Sequence, residues 1–540
     1  MLSTKAQSKL IQDSICDIIF RLEVVTIGTL LEMWLSLILG AFILILAWDF
    51  CRKHQRSAIL QRSKISGPLS LLILGNSLQA SALSSENYLE YFRDSFNKYG
   101  KTFRHWILGE CIVYTKDIKL FEAILSSSTI LQKAEVYRFM RDFLGDGLFL
   151  GSASTWASRR KVLAPAFHFK CLGNFVEIMD RNSKIMVEKL RKVADGKTPV
   201  DLFNYVSLEA LDVITETTMG VQMNAQIDPN CAYTKALKSV VHIASDRLLS
   251  PWHRFNWLFP LAAPLVYWRL HRDIRLMQEF TDKIIRERRA ILERSKADGS
   301  YQPLSLEDEE TGGKSKMALL DIMLQVSIDN KPLTELDIRV EVGSFIFAGD
   351  DTTTSGVSHA LQVISRHPKV QKCIYEEILA VLGQDPNTPV TQSQLLDLKY
   401  LDCVIKETMR LYPPVPYLGR YIPKDLHVGD KTIPGNTSVI LMPYYVYRDP
   451  EYFPDPLNFK PERWMNVKEA SFPSHAYIPF SFGPKNCIGQ RFAILQMKTL
   501  ISKVIRHYEL LPLGEDLKAT FNFVLSSSSG FNVGLRPKKF

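Results

Sequence analysis

The chain has 540 residues, of which 46% are hydrophobic and 23% are charged, a composition that excludes wholesale disorder, collagen and a small disulfide scaffold. Its 66 Lys and Arg residues outnumber 57 Asp and Glu residues and give a net charge of +9, which suits an anionic membrane surface or an acidic partner protein. No tract combines basic and aromatic residues as in nucleic-acid-binding proteins, so no nucleic acid is expected as a partner. The eight Cys residues include no Cys-x-x-Cys pair, which argues against a structural zinc site.

The N-terminal region predicts a membrane anchor. No charged residue occurs from Met33 to Trp48, and only Glu32 interrupts the wider apolar run of residues 24–48. Spanning a bilayer takes about 20 apolar residues, so residues 24–50 are predicted to form a transmembrane helix. The Lys and Arg residues that follow predict that the rest of the chain lies in the cytosol. A buried core helix and a cleaved signal are the alternatives, but the flanking charges and the lack of a small-residue cleavage site favour the anchor.

Two segments flank this anchor. Residues 1–23 carry isoleucines at helical spacing among charged residues, which predicts an interfacial helix on the membrane surface. Residues 51–76 are basic and contain the sequence Ser66-Gly67-Pro68, which predicts a linker with a hinge. Residues 77–540 are predicted to form a single domain around one large core.

Within this domain the pattern is mostly helical as far as Tyr412, with strand-like patches near residues 102–114. The polar segment of residues 294–316 predicts an exposed loop between two long helices. Beyond Tyr412 prolines are frequent, which predicts a loop-rich region that leads to Cys487.

One long helix is predicted to begin at the capping sequence Thr334-Glu335-Leu336-Asp337 and to continue to about Arg366. Midway along it lies Ala348-Gly349-Asp350-Asp351-Thr352-Thr353. This stretch disfavours a helix, because Gly costs about 1 kcal/mol and Asp and Thr compete for backbone hydrogen bonds. Local conflict of this kind is typical of functional sites. Taken alone, the stretch also fits a polar kink in a core helix.

Cys487 lies in a loop framed by Phe480, Gly483 and Gly489, just before a helix-patterned run from Gln490 to Tyr508. Backbone N–H groups at a helix N-terminus stabilise a thiolate, and glycines allow a flat ligand to approach the backbone. A thiolate in this position suits a haem iron. A buried structural Cys in a turn is the alternative.

This framing, Phe-x-x-Gly-x-x-x-Cys-x-Gly, resembles the cytochrome P450 family of haem-thiolate monooxygenases. Glu407-Thr408-Met409-Arg410 resembles the Glu-x-x-Arg helix of that family, and Pro461-Glu462-Arg463-Trp464 resembles its Pro-Glu-Arg-Phe loop. The resemblance implies a mainly α fold with small β-sheets behind an N-terminal transmembrane helix. It also implies haem b with iron ligated by Cys487, and an ion-pair cluster of Glu407, Arg410 and Arg463 that supports the Cys loop.

The resemblance further implies roles around the haem. Trp156 and Arg160 would hold a propionate, and Lys485, which stands where the family most often has Arg, would make a similar charge contact. On the long helix, Gly349 would make room for dioxygen, while Asp351 and Thr352 would relay protons to the distal oxygen.

These motifs look most like the family-4 clan of membrane-bound enzymes that hydroxylate long aliphatic molecules, with two departures. Ala348 stands where that clan often has a Glu that, in some members, esterifies the haem, so non-covalent haem is expected. Asp350 replaces a commoner His, and two adjacent carboxylates are expected to alter protonation at the oxygen site.

The function expected from the resemblance is insertion of one oxygen atom of O2 into an apolar substrate: a fatty acid, hydrocarbon, steroid-like molecule or xenobiotic. Electrons would come from an NADPH-dependent reductase, so NADPH is not bound directly, and a cytochrome b-type donor is a second expected partner. Arg159, Arg160, Lys161 and Arg491 are expected to attract the acidic surface of the reductase. The expected location is the endoplasmic reticulum membrane, with the domain on the cytosolic face. A haem-thiolate isomerase or peroxide lyase, and a haem-binding protein without turnover, are the alternative functions.

Overall fold

The computed structural model describes residues 3–167, 169–298, 318–465 and 472–539. The helices, in chain order, are α1 Ser3–Arg62, α2 Ser77–Ser81, α3 Tyr88–Tyr99, α4 Ile118–Leu125, α5 Arg141–Leu144, α6 Ala153–Leu163, α7 Phe169–Leu190, α8 Phe203–Met219, α9 Ala232–Leu249, α10 Pro251–Arg254, α11 Phe259–Ala262, α12 Pro264–Ala297, α13 Leu319–Met323, α14 Glu335–Ser365, α15 Pro368–Leu382, α16 Gln392–Asp397, α17 Lys399–Leu411, α18 Pro443–Val446 and α19 Gln490–His507. Short 3-10 turns cover Glu135–Met140, Ala164–Phe167, Pro461–Trp464 and Ser474–Ala476.

The strands are shorter than the main helices. They are β1 Thr102–Ile107, β2 Glu110–Thr115, β3 Pro199–Asp201, β4 Ser327–Ile328, β5 Lys331–Pro332, β6 Leu418–Ile422, β7 Leu426–Val428, β8 Lys431–Ile433, β9 Thr437–Leu441, β10 Tyr508–Leu511, β11 Ala519–Thr520, β12 Ser526–Ser527 and β13 Asn532–Pro537. The first and largest sheet has the order β1-β2-β9-β6, with β2 and β9 parallel. A second sheet has the order β10-β13-β3, and three further strand pairs complete the β structure. The fold is therefore mainly α with small β-sheets, as predicted.

Helix α1 is continuous and crosses two predicted boundaries. It passes residue 23 without a break and includes residues 51–62 of the predicted linker. The linker prediction is wrong for those residues because no Gly or Pro interrupts the helix before Gly67 and Pro68. Among the described residues, the helical segment Met33–Arg62 is long and apolar enough to cross a membrane, by length and composition. The side chains of residues 3–16 and 18–29, which include all those on which the interfacial face was predicted, lie outside the described part of the chain.

The C-terminal half of α1 packs against the first sheet. Asp49 Oδ2 accepts a hydrogen bond from the Ile73 N–H at 2.9 Å. Lys53 Nζ lies 2.8 Å from the same oxygen and donates to Leu71 O at 3.0 Å. Leu60 is fully buried in the cluster that contains Trp106 of β1. Helix α1 and the large domain are therefore joined by specific contacts as well as by the chain.

Helix α14 is the central element of the domain. Thr334 and Asp337 form the predicted capping box at its start, and the helix ends at Ser365. It packs against α8, α12, α17 and α19, so almost all side chains of its second half are buried. The loop predicted for residues 294–316 begins later than expected, because α12 continues to Ala297; residues 299–317 lie outside the described part of the chain.

Candidate cofactor site

The loop that carries Cys487 is held by its own backbone. The Cys487 N–H donates to Phe480 O at 2.8 Å, and Gly489 directly precedes the first residue of α19. Gly483 has a φ of +70°, and a Cβ there would lie 2.0 Å from Leu125 O, so only glycine fits. A Cβ at Gly489 would meet only the Cys487 Sγ, at 4.0 Å. Open space therefore lies beside the sulfur atom.

The electrostatic surroundings of Cys487 include two cations. Burial in the domain raises the pKa of the thiol, while the Gly489 N–H and the charges of Arg160 and Lys133 act in the opposite direction. These groups favour the thiolate, which is the form that ligates a metal. No cluster of three or more His, Cys, Asp or Glu residues suited to a metal occurs among the described residues, so a single thiolate is the ligand that this site offers.

Helix α6 places two of the predicted cofactor residues against the Cys loop. Arg160 donates to the backbone oxygen of Asn486 at 2.8 Å and to its side-chain oxygen at 2.7 Å. Lys485 Nζ lies 5.4 Å from the centre of the Trp156 ring, is buried and has no hydrogen-bond partner. Burial, then the nearby Arg420, lowers the pKa of Lys485 to about 8.

Two further cations complete this group, and sequence reasoning missed both. Lys133 lies 4.6 Å from the centre of the Phe149 ring, and burial together with Arg420 and Lys485 lowers its pKa. Arg420 of β6 is buried and donates to Gly419 O at 3.1 Å. No described carboxylate pairs with any member of this cation cluster, which consists of Lys133, Arg160, Arg420 and Lys485. A buried Arg within an apolar strand was the signal that could have revealed Arg420.

A buried carboxylate organises the region next to the Cys loop. Glu407 accepts from Arg410 Nη2 at 2.8 Å and Nε at 2.9 Å, and from Arg463 Nε at 2.9 Å. The Trp464 indole N–H, which the sequence did not predict, donates to Glu407 at 2.9 Å, as does the Lys460 N–H. Burial alone would raise the pKa of Glu407, but these hydrogen bonds and charges lower it below its ordinary value.

The middle of α14 opens toward the interior at one residue. Ala348 is exposed although residues 344–347 and Asp350 are buried, so its methyl group faces an internal space. One turn later, Thr352 is partly exposed, and its Oγ1–H donates to Ala348 O at 2.6 Å. The pKa values of Asp350 and Asp351 are both raised by burial, and the Lys238 charge opposes the shift in each case. Asp350 Oδ1 has no hydrogen-bond partner.

Gly349 packs against a neighbouring helix. A Cβ at this position would lie 2.5 Å from Ile214 Cδ1 of α8. The missing side chain therefore allows α8 and α14 to pack closely. This contact gives Gly349 a packing role that the sequence did not predict, and its role beside dioxygen stays a prediction.

The basic surface of α6 is also smaller than expected. The Arg159 side chain is only 11% exposed and pairs with Asp337 at the start of α14, so it is not available to a partner protein. Arg160 is engaged with Asn486. Lys161 and Arg491 are exposed, as predicted.

Comparison with known proteins agrees with this site. The family model described as Cytochrome P450 matches residues 65–534. The protein named probable cytochrome P450 4d21 of Drosophila melanogaster is 70% identical over 94% of this chain and 99% of its own length. Probable cytochrome P450 4d20 of the same species is 61% identical over the same shares, and cytochrome P450 4d2 is 43% identical over 93% of this chain and 98% of its own length. The chain therefore belongs to the cytochrome P450 family of monooxygenases, whose haem iron is bound by a cysteine thiolate, and its relatives are members of family 4.

Proposed function

We propose that this chain is a membrane-anchored haem-thiolate monooxygenase that inserts one oxygen atom of O2 into an apolar substrate, with electrons from an NADPH-dependent reductase. The observation that carries the proposal is the cation cluster beside the accessible Cys487 thiol. Four cations without carboxylate partners are costly to bury, and a ligand with two carboxylates would compensate them.

Haem b has the shape and charge that these residues require. Its two propionates would bind to Lys133, Arg160, Arg420 and Lys485, and guanidinium groups are well suited to that contact. The Trp156 ring, already next to Lys485, would border the propionate region. Open space beside Cys487 Sγ and in front of Ala348 suits the two faces of a planar ligand. Ala348 has no group that can form an ester, which supports non-covalent binding.

When bound, haem with a thiolate ligand supplies the electron density that favours O–O cleavage. The residues of α14 would manage the protons. Thr352 presents a hydroxyl group at the internal space beside Ala348, and Asp351 lies next to it in the chain. A carboxyl whose pKa is raised by burial keeps its proton nearer to neutral pH, so Asp351 is suited to supply protons to Thr352.

The exposed apolar surface supports the proposed location. Helix α1 exposes apolar side chains from Leu30 to Phe50, which supports a membrane span that ends where Asp49 and Lys53 contact the domain. Outside α1, exposed apolar residues include Leu69, Trp257, Leu265 and Trp268, which support a second contact with the lipid surface. We place the enzyme in the endoplasmic reticulum with its domain in the cytosol, where Lys161 and Arg491 would face the reductase or a cytochrome b-type donor.

Reduction of the purified protein under carbon monoxide tests the proposal. A thiolate-type spectrum is expected for the parent and for Cys373→Ala, which removes another exposed cysteine, and no spectrum is expected for Cys487→Ala. NADPH consumption with reductase is then measured with fatty acids, hydrocarbons and steroids. A parent without the spectrum would contradict haem-thiolate binding. A normal spectrum without oxygen consumption for any substrate would instead favour an isomerase, a lyase or a haem protein without turnover.

A further inference from the structure

Glu341 is a buried carboxylate that takes no part in the proposed chemistry. It lies in α14 on the N-terminal side of Ala348, and its side chain is 0% exposed. The Leu148 N–H donates to Glu341 Oε1 at 3.0 Å and to Oε2 at 3.1 Å. Arg159 Nε lies 3.6 Å from Oε1, which is longer than a normal hydrogen bond. Glu341 therefore contacts two other parts of the chain, helix α6 and the loop of residues 145–151.

The 145–151 loop fits closely against this carboxylate and leads to the cation cluster. A Cβ at Gly147 would lie 2.8 Å from Glu341 Oε1, so a larger residue would force the loop or the carboxylate to shift. Phe149 directly follows the residue whose N–H is bound, and its ring centre lies 4.6 Å from Lys133 Nζ. Through this loop, Glu341 bears on where Lys133 lies.

Helix α6 is held in a similar way. Arg159, whose side chain is only 11% exposed, pairs with Asp337 as well as lying near Glu341. Both carboxylates belong to α14, so Arg159 attaches α6 to that helix. The next residue, Arg160, donates to Asn486 of the Cys loop. Through Arg159, Glu341 therefore bears on a second member of the cation cluster.

The charged groups that act on Glu341 are Arg159 and Asp337. Burial raises the pKa of Glu341 to about 7, against the Leu148 N–H and the Arg159 charge, and Asp337 raises it further. For Asp337, hydrogen bonds from Thr334 and the Arg159 charge outweigh burial and lower the pKa. Near neutral pH Asp337 is thus ionised while Glu341 titrates. An ionised carboxylate accepts stronger hydrogen bonds, so both contacts of Glu341 strengthen as the pH rises through 7.

We propose that Glu341 is a positioning residue for the cation cluster of the haem site and holds that cluster most firmly when it is ionised. One connection is the 145–151 loop, which reaches Lys133. The other is Arg159, which precedes Arg160 in α6. The inference rests on the proposed haem binding and adds a pH-dependent control of how tightly the propionates are held.

Transfer of haem from the full-length holoprotein to apomyoglobin tests this role. The rate for Glu341→Gln divided by the rate for the parent should be close to one at about pH 6, where both side chains are neutral. At about pH 8 it should rise to about fivefold, because only the parent then has a charged acceptor. Titration of Lys485 and of the propionates is common to both proteins and cancels in this ratio.

Two further variants accompany this comparison. Glu341→Asp keeps the charge on a shorter side chain and should recover part of the retention of haem at about pH 8. Glu335→Gln makes the same chemical change as Glu341→Gln at an exposed position of α14. It is the matched control, and its ratio to the parent should stay close to one at every pH.

Hydrogen–deuterium exchange of the holoprotein gives an independent measurement at the loop. In the parent, protection of the peptide that contains Leu148, corrected for the intrinsic pH dependence of exchange, should rise between about pH 6 and pH 8. Arg159→Gln removes a charge that lowers the pKa of Glu341, so the midpoint of this rise should move to higher pH. This shift provides the test if Glu341→Gln does not fold.

Two results would overturn the proposal. They are a ratio of haem-transfer rates for Glu341→Gln that is the same at every pH, as a merely structural role requires, and a protection of the Leu148 peptide that does not change with pH. Failure of the proposed haem-thiolate function is separately visible, because the parent would then lack the carbon monoxide spectrum.

Discussion

Gly349 of α14 faces Ile214 of α8 so closely that a Cβ on the glycine would lie 2.5 Å from Ile214 Cδ1 and 2.7 Å from Cγ1. Contacts this short require the Ile214 side chain or one of the two helices to shift. Because α14 also carries Ala348 and Thr352, the spacing of α8 and α14 helps to determine where those residues lie.

Gly349→Ala is expected to lower the free energy of unfolding by about 1–3 kcal/mol through overpacking, even though Ala is the better helix former. Ile214→Ala removes the two atoms that clash, so the double variant should be more stable than the sum of the single effects predicts. Thermal unfolding of all four proteins measures this coupling. Additive effects would show that the two residues are independent.

Glu407→Gln is expected to prevent accumulation of folded haem protein. Both side chains of the Glu407–Arg410 ion pair are fully buried. The substitution leaves Arg410 without its charge partner, and breaking a buried pair costs about 3–5 kcal/mol. The yield of carbon monoxide-binding protein measures the effect. Glu462→Gln makes the same chemical change at an exposed neighbour and should retain most of the yield; equal losses would contradict a special role for Glu407.

Lys485→Met is expected to accelerate haem loss about tenfold, because one charge contact to a propionate disappears. Lys485→Arg should slow the loss below that of Lys485→Met, since Arg forms two parallel hydrogen bonds with a carboxylate. Transfer of haem to apomyoglobin gives the rates. Lys161→Met, an exposed change on α6, is the control, and a rate for Lys485→Met equal to that of the control would remove Lys485 from the binding site.

Thr352→Ala is expected to retain haem but to divert reducing equivalents into peroxide, because the hydroxyl group at the internal space is lost. The fraction of NADPH recovered as product should fall about tenfold or more. Thr353→Ala alters the adjacent residue, which is buried, and should couple more efficiently than Thr352→Ala. If Thr352→Ala couples as well as the parent, the proton relay through Thr352 is wrong.

Glu209 of α8 predicts a pH-dependent stability. Burial raises its pKa to about 8, against the hydrogen bonds from Ser183 and Gln496. Because the pKa of Glu209 is higher in the folded state than in the unfolded state, ionisation of this carboxyl opposes folding. The free energy of unfolding is therefore expected to fall as the pH rises from the unfolded pKa toward 8, by at most about 1.4 kcal/mol per pH unit.

Glu209→Gln removes this titration. The melting temperature of the variant minus that of the parent should therefore be more positive at about pH 8 than at about pH 6. Glu188→Gln, an exposed change on α7, should show the same difference at both pH values. A pH-independent difference for Glu209→Gln would mean that this carboxyl does not titrate as its burial requires.

Local patterns predicted the parts of the site that depend on neighbouring residues in the chain. The capping box at Thr334, the pairing of Glu407 with Arg410 and the start of α19 after Gly489 are of this kind, because helix geometry relates residues a few positions apart. Residues brought in from other elements could not be found in this way. Lys133 and Arg420 join the cation cluster only because the first sheet and the Glu135–Met140 turn pack around it.

Gly349 also shows that sequence patterns do not predict contacts between distant elements. Its motif was recognisable, but which neighbour occupies the space beside a glycine is decided by helix packing, and α8 lies more than a hundred residues earlier in the chain. A motif therefore located the residue without revealing what it contacts.

The contacts of Asp49 and Lys53 also bear on how this enzyme can be made water-soluble. A truncation placed just after the apolar stretch removes Asp49, the acceptor for the Ile73 N–H, and leaves Lys53 without its carboxylate in a buried position. A cut after Arg62 would also remove Leu60, which is fully buried in the same hydrophobic cluster as Trp106. Residues 49–65 are thus part of the folded body, and a soluble form should keep them and replace only the lipid-facing residues before Asp49.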